Sequence, residues 1–194
     1  MTTDIEMNKN EKQKTLSMHP KRMIMWLMIA SIIMIFASLT SAYIVRQADG
    51  NWLEFDLPQI FWINTGIILL SSITMHWAYL SAKKNKQTSL KIAITITSIL
   101  GIAFLKGQLT AWDHLAAQDV FFEGNPSGSF LYVFTGVHAF HLITGVIFLL
   151  IVLILAFRDK VNAEKMLWIG ICTTYWHFLD ALWVYLFLFL LFFR

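Results

Sequence analysis

Long apolar runs alternate with short polar interruptions from one end of the chain to the other. Five runs, at about residues 23–45, 60–80, 90–112, 130–157 and 166–193, are each long enough to cross a bilayer as a helix. The hydrocarbon is roughly 30 Å thick and a helix rises about 1.5 Å per residue, so about 20 residues suffice. The pattern predicts an all-α bundle of five transmembrane helices. Lys106 and Gln108 interrupt the end of the third run, and Lys106 can extend its charge to the interface while its stem stays apolar. Between the runs, Arg46–Gln59 carries Asp49, Glu54, Asp56 and a helix-starting Pro58, whereas Ser81–Ser89 is short and basic. Asp113–Ser129 is the longest connection and ends in Asn125-Pro126-Ser127-Gly128, a turn signal; Arg158–Lys165 is the fourth. Residues 1–21 read as a polar tail and 22–194 as a single helical bundle. The first apolar run exceeds the 7–15 residues of a signal-peptide core, so it is expected to be a retained helix.

Composition agrees with this pattern. The 194 residues are 57% hydrophobic and 14% charged, where a soluble domain carries about 25% charged residues. The net charge of +3 looks at first like a nucleic-acid surface, but its distribution gives it another cause. The N-terminal tail holds Lys9, Lys12, Lys14, Lys21 and Arg22; the second connection region holds Lys83, Lys84, Lys86 and Lys91; the fourth holds Arg158, Lys160 and Lys165. Those three segments share one side of a five-span topology and contain 12 of the 15 basic residues. The positive-inside rule then places the N-terminus in the cytoplasm and the C-terminus outside, and no nucleic-acid partner is needed. Cys172 is the single cysteine and lies inside the last run, which rules out an intrachain disulfide and a cysteine-rich metal site. Trp26, Trp52, Trp62, Trp77, Trp112 and Trp168 fall near the predicted span ends, as an interfacial aromatic belt requires.

Within the spans the polar inventory is short, and its most demanding member is Asp180. A carboxylate near the bilayer midplane costs roughly 2.5–3.5 kcal/mol on insertion scales, so it must face protein. Trp176, His177, Asp180 and Trp183 are three or four residues apart and share a helix face. On the fourth span, His138 and His141 are likewise three apart. Together His138, His141, His177 and Asp180 could form a metal set of three histidines and one carboxylate, or supply axial ligands to a haem. They could equally be an interhelical polar cluster that fixes the fourth helix against the fifth. Di-metal bundles use repeated Glu-x-x-His, and no Glu lies in any span, so the structural reading is preferred. One deep carboxylate is also too little for an autonomous proton pump. Ser71, Ser72, Gly101, Gly136 and Gly145 read as close-packing positions between helices. A phosphate-binding glycine loop, a nucleophile–base pair and Cys-x-x-Cys are all missing from the sequence, so nothing points to an enzyme acting alone.

The stretch from Tyr175 to Trp183, Tyr-Trp-His-Phe-Leu-Asp-Ala-Leu-Trp, resembles the signature of haem–copper (cytochrome c) oxidase subunit III in its short five-helix bacterial form. The fourth span is similar to the same family through Gly128-Ser129, Thr135-Gly136-Val137-His138-Ala139-Phe140-His141 and Gly145. Asn64-Thr65 with Ser71-Ser72, and Leu100-Gly101 with Gln108, add to it; Trp176 and Trp183 frame the last motif. The similarity runs in order over about residues 22–193. It implies an accessory subunit, in a bacterial cytoplasmic membrane, that packs against catalytic subunit I beside subunit II. Such a subunit supports proton uptake and stability during oxygen reduction. It also implies no catalytic, cofactor or metal residues in this chain and haem and copper in the partner subunits; bound phospholipid is a candidate ligand, although the short form lacks the two helices that help to form the longer form's lipid cleft. Three positions depart from the family pattern: Ser31 stands where a buried glutamate is common, Ala111 where an acid follows the helix-three glutamine, and Ala139 where glycine is usual. The rival readings are a nitric-oxide-reductase-associated protein of the same plan and, from a different class, a bis-His haem electron carrier.

Overall fold

The structure, a computed structural model, describes residues 19–50, 52, 57–158 and 166–193. Most of the polar tail, together with Glu54, Asp56, Lys160, Lys165 and Arg194, lies outside the described residues. Five helices follow one another: α1 (Pro20–Ala48), α2 (Ile60–Lys83), α3 (Gln87–Ala116), α4 (Pro126–Phe157) and α5 (Leu167–Phe192). All five are long and apolar enough to cross a membrane, and among the described residues there is no strand.

The helix ends follow local chemistry. Pro20 and Pro126 sit at the first helical positions of α1 and α4, where a missing N–H costs nothing. Before them, the His19 ring accepts from the Lys21 amide, and the Asn125 side chain accepts from the Ser127 amide at 2.9 Å. The Asn-Pro-Ser-Gly signal is therefore a helix start, and α4 begins four residues earlier than the apolar run implies. α2 and α3 both close with a left-handed residue and paired backbone bonds. At Asn85 (φ 54°), Lys86 N–H donates to the Ser81 carbonyl and Asn85 N–H to that of Ala82. Asp119 (φ 58°) repeats the arrangement, with Val120 N–H donating to Leu115 and Asp119 N–H to Ala116. The α2 cap reverses the chain within three residues and lays α3 antiparallel along α2. Neither Lys106 nor Gln108 ends α3, because Lys106 points out and Gln108 points in.

Helices α2, α3, α4 and α5 form a ring in which each packs on the next and α5 returns to α2. α1 stands outside that ring and touches only α4 and α5. Fourteen side chains of α5 are buried against six of α1, so the last helix is the element around which the others assemble. α1 is fastened at one end by Tyr43, whose ring meets Trp52, Phe130, Phe134 and Phe189. Its hydroxyl donates to the Phe193 carbonyl at 2.9 Å, which also accepts from Gln47 at 3.0 Å.

Candidate functional site

In a membrane, apolar burial does little to hold helices together, so close packing and interhelical hydrogen bonds decide which faces meet. On α5 that face is Trp176, His177, Asp180 and Trp183. The Trp176 indole donates to Ser71 Oγ and the Trp183 indole to Thr65 Oγ1, each at 3.1 Å. Between them, His177 Nδ1 lies 2.7 Å from Ser72 Oγ. These contacts run antiparallel along α2 and explain why Thr65, Ser71 and Ser72 stand six and seven residues apart. A third indole, that of Trp112, donates to Thr135 Oγ1 at 3.0 Å and joins α3 to α4. Trp112 therefore binds the bundle together, beyond serving in an interfacial belt. Its ring is also the nearest group to a Cβ added at Gly136, at 3.9 Å, so Gly136 is an ordinary contact.

Two glycines make room for Trp176. A Cβ on Gly101 would approach the far edge of that indole to 2.7 Å, and one on Gly145 would meet a Leu179 methyl at 2.8 Å. On the α2–α3 seam, the Asn64 side chain fills the space that a Cβ on Gly107 would need. Asn64 and Gln108 are both buried; the Asn64 amide nitrogen and both polar atoms of Gln108 lack partners.

The geometry divides the four residues expected to form one polar cluster between the fourth and fifth helices. His177 and Asp180 stay together, with His177 Nδ1 4.0 Å from Asp180 Oδ2, but the hydrogen bond that leaves the pair runs from His177 to Ser72 on α2, not to α4. His138 is fully buried between the rings of Phe104 and Trp183, at centroid distances of 5.9 and 5.1 Å, and neither ring nitrogen is hydrogen-bonded. His141 turns its Nδ1 to the Val137 carbonyl of its own helix at 2.8 Å and meets Phe36 of α1. The hydrogen-bonded tie between α4 and α5 is instead at Tyr175, whose hydroxyl meets that of Thr144 at 2.9 Å and the His141 carbonyl at 3.4 Å, a contact the sequence reading missed. Its only signal was a hydroxyl residue on each helix, and such residues are common in membrane bundles. Among the described residues, no three His, Cys, Asp or Glu side chains converge.

The profile of cytochrome c oxidase subunit III matches residues 4–194. The chain belongs to the cytochrome c oxidase subunit III family. It is therefore a multi-pass membrane protein of a family whose members are subunits of an oxidase complex. It is similar to a probable cytochrome c oxidase subunit 3 of Rickettsia felis, 36% identical over 78% of this chain and 55% of the relative. A Nocardia farcinica protein of the same description is 31% identical over 84% of this chain and 82% of the relative. A probable quinol oxidase subunit 3 of Staphylococcus aureus is 30% identical over 84% and 83%. The chain spans about half the length of the Rickettsia relatives it matches. Of the three departures from the family pattern, Ser31 is exposed and bonds the Leu27 carbonyl of its own helix, and Ala111 is fully buried.

Proposed function

We propose that this chain is the accessory third subunit of a respiratory haem–copper terminal oxidase in a bacterial cytoplasmic membrane. It packs against catalytic subunit I, in a complex that includes subunit II, and supports proton uptake and stability while that complex reduces oxygen to water. It carries no redox centre of its own; haem and copper belong to the partner subunits. The N-terminus faces the cytoplasm and the C-terminus the outside, as the placement of 12 of 15 basic residues favours. Bound phospholipid fits the groove of about 950 Å³ between the end of α1 and the start of α4, lined by Leu39, Ala42, Val45, Phe130 and Val133 with Arg46 at its rim.

One observation carries the reading. The three histidines read as candidate cofactor ligands do not converge; each meets different neighbours. His177 bonds Ser72, His141 bonds its own helix, and His138 is clasped by two aromatic rings. Purifying the tagged chain from its native membrane tests the proposal. A haem–copper catalytic subunit in stoichiometric amount is expected, with the haem spectrum staying on that partner when the two are separated. A nitric-oxide reductase in its place, or a Soret band remaining on this chain alone, overturns it.

A further inference from the structure

Asp180 is 3% exposed, and neither of its carboxylate oxygens has a hydrogen-bond partner. It stands 13 residues from the start of α5, about 20 Å into the bundle. Burying an ionised carboxylate at that depth is expensive unless a proton or a partner reaches it. A continuous set of groups leads away from it. His177 Nδ1 lies 4.0 Å off, and the Ser72 hydroxyl, 2.7 Å from the same nitrogen, lies against Asp180 as well. The His177 ring centroid is 6.1 Å from that of His76, a spacing one water can bridge between ring nitrogens. His76 is exposed and lines a pocket of about 400 Å³ among the start of α1, the end of α2 and the start of α5. Arg22, Tyr79, Thr173 and Thr174 supply the polar lining. Thr173 is 7% exposed and its hydroxyl, buried beside the pocket, has no partner.

We infer that this pocket, His76, His177 with Ser72, and Asp180 form a one-ended proton path, through which Asp180 exchanges its proton with the face that carries the basic loops. A hydronium in the pocket gives its proton to His76. His76 passes one on through the bridging water to His177, and His177 passes one through the Ser72 hydroxyl to Asp180. One proton leaves water, one carboxylate becomes a carboxylic acid, both imidazoles end neutral, and no electron moves. The other titratable groups facing this region are Arg22 of α1 and Tyr79 of α2, at the pocket, and His138 and His141 of α4. Neither α4 histidine hydrogen-bonds to the path, and the next α5 residue on the Asp180 face, Trp183, donates to Thr65 instead. The path deepens the proton-uptake role proposed above and rests on that reading for its purpose, though not for its geometry.

Infrared hydrogen–deuterium exchange on the intact complex, purified with whatever partners it brings, tests the path without reference to oxygen chemistry. The protonated Asp180 carbonyl band is identified by its loss in Asp180→Asn. It is sought across the pH range in which the complex stays assembled. The band is expected to shift on transfer to deuterium oxide within the mixing time. It is expected to shift at least tenfold more slowly in His76→Leu, a change at an exposed position that leaves the bundle intact, and in His177→Gln, which keeps a partner for Ser72. A band that never appears, that does not exchange in the parent protein, or that exchanges equally fast in both variants overturns the path. Failure of the oxidase reading would show separately, in the identity of the copurified partner.

Discussion

Single residues differ here in how much they can give way. Gly101 faces the rigid edge of Trp176, whereas Gly145 faces a Leu179 methyl that can turn aside. Gly101→Ala is therefore expected to destabilise the protein by about 1–3 kcal/mol through overpacking, and Gly145→Ala by less. Thermal unfolding in detergent checks the order, and equal losses would contradict it. His138 and the half-buried His177 also part company. His138 has aromatic neighbours and no hydrogen bond, so His138→Phe is expected to be neutral or stabilising. His177→Phe leaves Ser72 and Asp180 facing an apolar ring and is expected to cost about 1–3 kcal/mol in the same assay. A His138→Phe loss as large as that of His177→Phe would mean that His138 holds a partner of its own.

Among the elements, the spans were legible because each apolar run is long and its interruptions are short. What the apolar count misjudged was the edges: Asn125 and Pro126 read as a turn, yet a capping residue followed by proline also starts a helix, and that is what α4 does. The candidate site was only partly readable. Spacing of three residues places His138 and His141 about one side of α4, but it cannot say which neighbour each meets. One enters the α3–α5 contact and the other faces α1. The indole-to-hydroxyl ties were hidden for the same reason, since Trp176 and Trp183 show their common face in sequence while the identity of α2 as its partner is set by the whole ring. α1 is the least embedded helix, and Tyr43 is its principal anchor. Tyr43→Ala is expected to cost about 3–5 kcal/mol and to expose α1 to limited proteolysis, while α2–α5 stay resistant. Simultaneous cleavage throughout the bundle would contradict the view of α1 as an outrigger.

Across the whole molecule, the exterior is what a membrane and a larger assembly demand. Ile24, Met34, Ile73 and Phe140 are each more than 60% exposed on helices that would be insoluble in water. The interior is mostly aliphatic and aromatic, and among the described residues it adds the indoles of Trp176 and Trp183, several hydroxyls and one buried carboxylate, Asp180. The proposed topology is tested by fusion: a periplasm-dependent reporter enzyme is expected to be active when fused to the C-terminus and inactive at the N-terminus. The reverse result would turn the bundle over and put the Asp180 pocket on the outer face. A density map of the intact native complex tests the central claim most directly. The expected map seats these five helices against a haem–copper catalytic subunit, with His138 between Phe104 and Trp183, His177 on Ser72, and no iron or copper on any imidazole of this chain. A metal coordinated by those imidazoles, or a chain standing apart from any oxidase, would contradict it.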